Sequence, residues 1–199
     1  MRATVRVPRQ ASYADYLAVE QHSAHRHELL DGIIVAMAGG SDEHNAIAGR
    51  FAIQLGIRLP GGCRYYTPDQ RFWIEVNGRG RYADGSIVCG KPAHPAHDGQ
   101  ATTNPVIVLE VLSPSSQGDD EGDKRLDFQS LSSLRAYIVA AQDERCIKIY
   151  RRDARGTWRP EPDVFHDGER FVLPLLSESV DVAQIYDDIL DGEGRSLLR

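Results

Sequence analysis

Apolar residues recur at every fourth position from Ile47 through Phe51 and Leu55 to Leu59, with Ala48 and Ala52 alongside. That spacing predicts an amphipathic helix from about Asp42 to Leu59, opened after Gly39-Gly40-Ser41 and stopped by Pro60-Gly61-Gly62. Tyr13, Tyr16, Leu17 and Glu20 predict a shorter helix over Ser12 to Gln21, with Ser12 as its N-cap. Between the two, Asp31-Gly32 separates His27 to Leu30 from Ile33 to Met37, which reads as a hairpin. Arg71 to Val76 alternates, with Phe72, Ile74 and Val76 on one face, and after a turn at Asn77 to Gly80 a strand is expected over Tyr82 to Cys89. Pro105 to Leu112 is apolar almost without interruption, the pattern of a strand covered on both faces. A polar loop from Ser113 to Asp123 leads to a helix from about Lys124 to Leu131. Strands follow at Tyr137 to Ala141 and Cys146 to Tyr150, then short strand-like pieces and a terminal helix over Asp181 to Leu190.

The 199 residues suffice for one well-buried α/β domain and are short for two, so one domain over 1–199 is expected, with a core at about 13–150 and a C-terminal extension at 151–199. The opening residues, Met1 to Gln10, contain no apolar run, and no later stretch is long enough to span a bilayer. Cys63, Cys89 and Cys146 form an odd set without C-x-x-C spacing and read as reduced thiols of a cytoplasmic protein. The formal net charge of −6 changes the picture more. Proteins that grip nucleic acid by counterion release present basic surfaces, so contact with nucleic acid here needs a local patch or bound cations.

Glu110 interrupts the most hydrophobic strand of the chain. A buried carboxylate must be hydrogen-bonded, ion-paired or bound to a metal, and the bland alternative is a Glu that pairs with an Arg or caps a backbone group. Asp84 lies one strand earlier, where Asp84-Gly85 could equally be a turn dipeptide. If the two strands are neighbours, both carboxylates converge on one edge of the sheet and suit a hard cation such as Mg²⁺. Lys124, at the start of the next helix, could return an ammonium to the same place, or be solvated as surface lysines mostly are. His22, His25 and His27, and His94 and His97, lack the spacing of a zinc site. No P-loop, dinucleotide fingerprint or G-x-S-x-G elbow is present.

At these residues the sequence resembles the bacterial Uma-type restriction-endonuclease family. The resemblance rests on Arg26 to Gly39 with Glu43-His44-Asn45, on Tyr82-Ala83-Asp84, and on Val108-Leu109-Glu110-Val111-Leu112-Ser113-Pro114-Ser115-Ser116. Asp120, Lys124 and Phe128 fit the helix that follows, and Ser133 to Tyr137 the strand after it, so the likeness runs from about Tyr13 to Tyr150. It implies an α/β fold of the PD-(D/E)XK type, with a mixed central β-sheet flanked by helices. It also implies ligation of Mg²⁺, with Mn²⁺ as a substitute, by Asp84, Glu110 and the Val111 carbonyl, and a catalytic part for Lys124 displaced onto the helix. Glu28 and His44 match positions facing the same cleft. The implied activity is hydrolysis of phosphodiester bonds in DNA, with a homodimer if both strands are cut. The alternatives are a catalytically inactive nuclease-fold module that binds nucleic acid or protein, and a hydrolase of another phosphorylated substrate. Two departures stand out. Ala83-Asp84-Gly85-Ser86 replaces Pro-Asp and a β-branched run, and Gln117 to Asp123 is acidic, reading as a solvated loop that would repel phosphate.

Overall fold

The computed structural model describes residues 10–37, 39–112, 117–189 and 195. Helix α1 (Tyr13–His22) opens with a capping box: the Ser12 hydroxyl accepts from the Asp15 amide, and Asp15 accepts from the Ser12 amide. Strands β1 (His27–Leu30) and β2 (Ile33–Ala36) pair antiparallel. Asp31 (φ 51°) and Gly32 (φ 80°) turn between them with both φ values positive, the geometry that favours Asp-Gly in a two-residue hairpin. Helix α2 (Asp42–Gly56) buries Ile47, Phe51 and Leu55, as the fourfold spacing requires. It ends three residues before the predicted Leu59, which still packs on the core.

Two sheets follow. One has the order β2-β1-β5-β4, with β4 at Arg71–Ile74 and β5 at Arg79–Tyr82. The other is six-stranded, ordered β10-β9-β8-β7-β6-β3. Its strands are β3 (Cys63–Tyr66), β6 (Gly85–Cys89), β7 (Pro105–Leu112), β8 (Ala136–Ala141), β9 (Cys146–Arg151) and β10 (Asp163–His166). In this sheet β7 and β8 run parallel and the other described pairs antiparallel, so the fold is mixed α/β around a mixed sheet. The short helices α3 (Gln117–Asp120) and α4 (Asp123–Gln129) make up the β7–β8 crossover. A small pair, β11 (Arg170–Phe171) and β12 (Val180–Asp181), leads into α5 (Val182–Tyr186).

Side chains of β7 alternate between two cores. Ile107, Leu109 and Val111 join Phe51, Leu55, Ile138 and Ile149 on the α2 side. Val108 and Leu112 join Phe72, Phe128, Leu134 and Tyr137 on the α4 side. Glu110 shares the parity of Val108 and Leu112 and is the one carboxylate in that stripe. Among the described residues, no helix is long and apolar enough to cross a membrane.

Several sequence expectations need correction. The single strand over Tyr82 to Cys89 is two strands in different sheets, and the break falls at Ala83-Asp84. Cys63 to Tyr66, left unassigned, is the edge strand β3, and its antiparallel register sets Cys63 opposite Cys89. The two cysteines form a disulfide with Cα atoms 4.0 Å apart, and only Cys146 is a free thiol. The inference of three reduced thiols fails, because a pairing between strands distant in sequence leaves no spacing motif. Val76 does not face inward with Phe72 and Ile74; the strand ends at Ile74 and Val76 is exposed. The acidic loop is not merely solvated, since Asp120 is buried and Glu121 pairs with Lys148 at 2.7 Å. Nor is the C-terminal segment an appendage to the core: Phe171, Leu173, Val180, Val182, Ile185 and Tyr186 belong to the cluster under α2. Met1 to Arg9, Ser113 to Ser116 and Leu190 lie outside the described residues.

Candidate functional site

The antiparallel register of β6 and β7 pairs Gly85 with Leu109, so Asp84, one residue before β6, falls level with Glu110 and Val111. Its Oδ2 accepts from the Val111 amide at 2.7 Å. The same oxygen meets His44 Nε2 at 3.0 Å. His44 stands on the first turn of α2, where the Ser41 hydroxyl caps its amide at 3.2 Å. The two bonds fix Asp84 from the sheet and from the helix while leaving Oδ1 outside both. Burial pushes the Asp84 carboxyl upward, but the hydrogen bond and charge of His44, the charge of Lys124 and the Val111 amide outweigh it and hold it below the usual range.

Glu110 is 1% exposed. Its Oε2 accepts from Lys124 Nζ at 2.9 Å, and its Oε1, also buried, has no hydrogen-bond partner. Lys124 projects from the first turn of α4 and lies 3.4 Å from Asp120 Oδ1 as well. Burial works against its ammonium. The charges of Glu110, Glu28, Asp120 and Asp84 reverse that effect, and Lys124 stays cationic. Of these acids Glu28 also pairs with Arg81 and Asp84 with His44. Burial pushes the Glu110 carboxyl well above its usual range despite the Lys124 charge.

The structure brings the three predicted residues to one place. Lys124 Nζ pairs with Glu110, and Asp84 bonds the Val111 amide on the neighbouring strand and not its own turn, while Lys124 is buried and not solvated. His44 joins them directly. Glu28 stands one step back: its Oε1 accepts from the Tyr82 amide at 3.0 Å and its Oε2 from Arg81 Nη1 at 2.8 Å, and Arg81 Nε donates to Asp127 at 2.8 Å. Its charge still reaches Lys124. Val111 contributes its amide to Asp84.

Two neighbours escaped the sequence reading. Asp120 was noted only as a family-like residue, although its charge bears on both Glu110 and Lys124. Tyr65 of β3 carries a buried hydroxyl with no partner, and the Asp84 and Glu110 charges, after burial itself, push its pKa upward. No motif marks it; only the pairing of β3 with β6 brings it here. That hydroxyl also accounts for Gly85, since a Cβ at position 85 would come 1.9 Å from Tyr65 Oη. The glycine makes room for the phenol.

Two carboxylates at the end of adjacent strands, one with an orphaned buried oxygen, fit a hard divalent cation that keeps several waters. Among the described residues, no set of three His, Cys, Asp or Glu side chains is arranged to hold a metal, so the fit rests on the carboxylate pair. The histidines at 22, 25, 27, 94 and 97 make no such set either; His27 pairs with Glu20 and His94 with the Ala101 carbonyl.

Comparison with known proteins bears on this arrangement. A crystal structure from Anabaena variabilis, described as "a putative nuclease belonging to DUF820", superposes with a TM-score of 0.71 at 15% identity, over 90% of this chain and 99% of that one, which shows a shared fold. Two uncharacterized proteins of Synechocystis are similar in sequence. The first, slr1290, is 30% identical over 145 residues, covering 72% of this chain and 75% of the relative. The second, sll1609, is 29% identical over 139 residues, covering 68% and 76%. The profile of the Uma2 family, described as "Putative restriction endonuclease", matches residues 13–183, and the chain belongs to that family.

Proposed function

We propose that this chain is a divalent-cation-dependent endonuclease of the PD-(D/E)XK type that hydrolyses phosphodiester bonds in DNA at Asp84, Glu110 and Lys124. The observation that carries the reading is the Glu110 carboxylate: buried, with one oxygen on Lys124 Nζ and the other unpartnered, one strand over from Asp84, which is bonded to the Val111 amide. A buried acceptor left unsatisfied costs about 1–3 kcal/mol, and burial pushes the Glu110 carboxyl well above its usual range despite the Lys124 charge; a bound cation would offset both. The family and fold support the same reading.

Asp84, Glu110 and the Val111 carbonyl would hold Mg²⁺ or Mn²⁺. Bound there, the ion would supply Lewis acidity toward a phosphate oxygen and lower the pKa of a water. The chain does the rest. His44 and the Val111 amide keep Asp84 ionised and aimed. Lys124 remains protonated, orients the attacking water and stabilises the charge that builds on the non-bridging oxygens in the transition state. Glu28, through its charge on Lys124, helps hold that ammonium in its protonated form. A cation between protein and phosphate would also offset the net charge of −6 and the acidic α3 segment. Cutting both strands would call for a second site, supplied by a second copy of the chain.

A second reading is a nuclease-fold module without catalysis. It is favoured by the Lys124–Glu110 pair, which already occupies one oxygen of the acid. Calorimetry with Mn²⁺ and Mg²⁺ on wild type and Glu110→Ala, alongside cleavage of plasmid DNA, separates the two. The nuclease reading expects binding and cleavage in wild type and neither in the variant. Cleavage retained in pure Glu110→Ala protein sinks it, and absence of cation binding in wild type, with and without DNA, favours the module.

A further inference from the structure

We propose that Tyr65 is a positioning residue for the nuclease site: its hydroxyl is the donor that fixes the Asp84 carboxylate when that carboxylate holds a cation. The inference rests on the proposed nuclease reading and extends it to a residue outside the carboxylate–lysine set.

Three observations on this face of the sheet point the same way. The Tyr65 hydroxyl is buried, and no acceptor lies within hydrogen-bonding reach of it. A phenol can rotate its proton toward an acceptor, and leaving the group unmade in the interior costs about 1–3 kcal/mol. Next, the chain gives up a side chain to seat the group: position 85 is glycine, and even a methyl there would lie 1.9 Å from Oη and 2.6 Å from Cζ. Finally, the tyrosine is held in place by its own strand pairing and by a covalent bond at the start of its strand. Tyr65 pairs with Ile87, and two residues away Cys63 is bonded to Cys89 across the same two strands. The phenol is thus set firmly against the segment that carries Asp84.

Asp84 already spends Oδ2 on the Val111 amide and His44. Carboxylates that bind metals are themselves hydrogen-bonded, and loss of such a partner weakens metal affinity or activity by about 10–100-fold. Tyr65 Oη is an unspent buried donor on the strand paired with the one that follows Asp84. It acts through Asp84 and needs no contact with substrate.

Tyr65→Phe removes only the oxygen and is the test. Mn²⁺ binding by calorimetry is compared in wild type and Tyr65→Phe, with melting of the cation-free proteins measured beside it. The expected result is at least about tenfold weaker Mn²⁺ binding in the variant, with a cation-free Tm equal to or above that of wild type, since an orphaned hydroxyl has gone. Cleavage by the variant should recover as Mn²⁺ is raised toward saturation. Mn²⁺ affinity within twofold of wild type overturns the proposal while leaving the nuclease reading intact. A lower cation-free Tm with unchanged affinity overturns it too and makes Tyr65 structural. Wild type that binds no Mn²⁺ removes both.

Discussion

The molecule contains two buried ionic networks, and they differ in how fully their carboxylate oxygens are met. The first joins α1, β4 and the 91–104 loop. Arg71 Nε and Nη2 donate to both oxygens of Asp98 at 2.8 and 3.0 Å, and Tyr13 Oη adds a third bond to Asp98 at 2.8 Å. Glu20 accepts from Tyr82 Oη, from the His27 amide and from the His27 ring. Every carboxylate oxygen there is engaged. The second network, Asp84–His44 and Glu110–Lys124, leaves Glu110 Oε1, Tyr65 Oη and His44 Nδ1 buried and unpartnered. The first network, closed at its carboxylates, also holds an unpartnered atom, Tyr16 Oη beside Arg71. What sets the second, open one apart is a carboxylate oxygen left unmet, which makes it the candidate place for a cation. The two can be told apart by what breaks them.

The largest effect is expected in the closed network. Arg71→Ala strands the Asp98 carboxylate, and removing one partner of a buried pair costs about 3–5 kcal/mol. Chemical denaturation should show that loss, while Mn²⁺ affinity of the folded protein stays as in wild type. A matching loss of Mn²⁺ binding would mean that the two networks are coupled.

Next comes the open network. Glu110→Gln keeps the shape but removes the charge, and several kcal/mol of transition-state stabilisation go with it. DNA cleavage at saturating Mn²⁺ should fall by about 10²–10³-fold, equivalent to about 3–4 kcal/mol. Quantified plasmid nicking checks this, and a fall below tenfold would remove Glu110 from the chemistry.

Somewhat smaller is the linkage between cation and fold. A ligand that binds only the native state at 100 times its Kd adds about 2.7 kcal/mol. Mn²⁺ should therefore raise the Tm of wild type and of Arg71→Ala by similar steps and leave Glu110→Gln unmoved. A rise of equal size in all three would place the cation elsewhere.

How far the sequence carried this contrast depends on where each signal lies. Glu110 was legible because a charge inside an eight-residue apolar strand has few explanations. Ile47, Phe51 and Leu55 were legible because helical spacing is local. The register of β6 on β7 was not written in the chain, yet the convergence of Asp84 and Glu110 could be stated as a condition on it, and the pairing of Gly85 with Leu109 meets that condition. Tyr65 and the Cys63–Cys89 bond were out of reach, since both depend on an edge strand whose short Cys-Arg-Tyr-Tyr run has no strong alternation. The Arg71–Asp98 pair was equally hidden: Asp98 sits in a loop rich in His, Pro and Gly that reads as solvent-facing, and only the folded chain buries it.

That hidden aspartate supplies the finest test of the comparison. Burial pushes the Asp98 carboxyl upward, but the Arg71 fork, the Gln100 amide and Tyr13 overcome it and bring the pKa from 3.8 to about 2. A carboxylate whose pKa is lower in the folded state stabilises the protein above its unfolded value, and that contribution drains away as pH falls toward the folded one. The stability difference between wild type and Asp98→Asn should therefore be at its full value at pH 5 and shrink between about pH 4 and pH 2. The site carboxylates give no such separation from wild type in this variant, because Asp84 and Glu110 are untouched. Urea melts at half-unit pH steps read the difference directly. A constant gap from pH 5 to pH 2 would show that Asp98 contributes shape and backbone capping alone, and the closed network would then owe its strength to Glu20 and Tyr82.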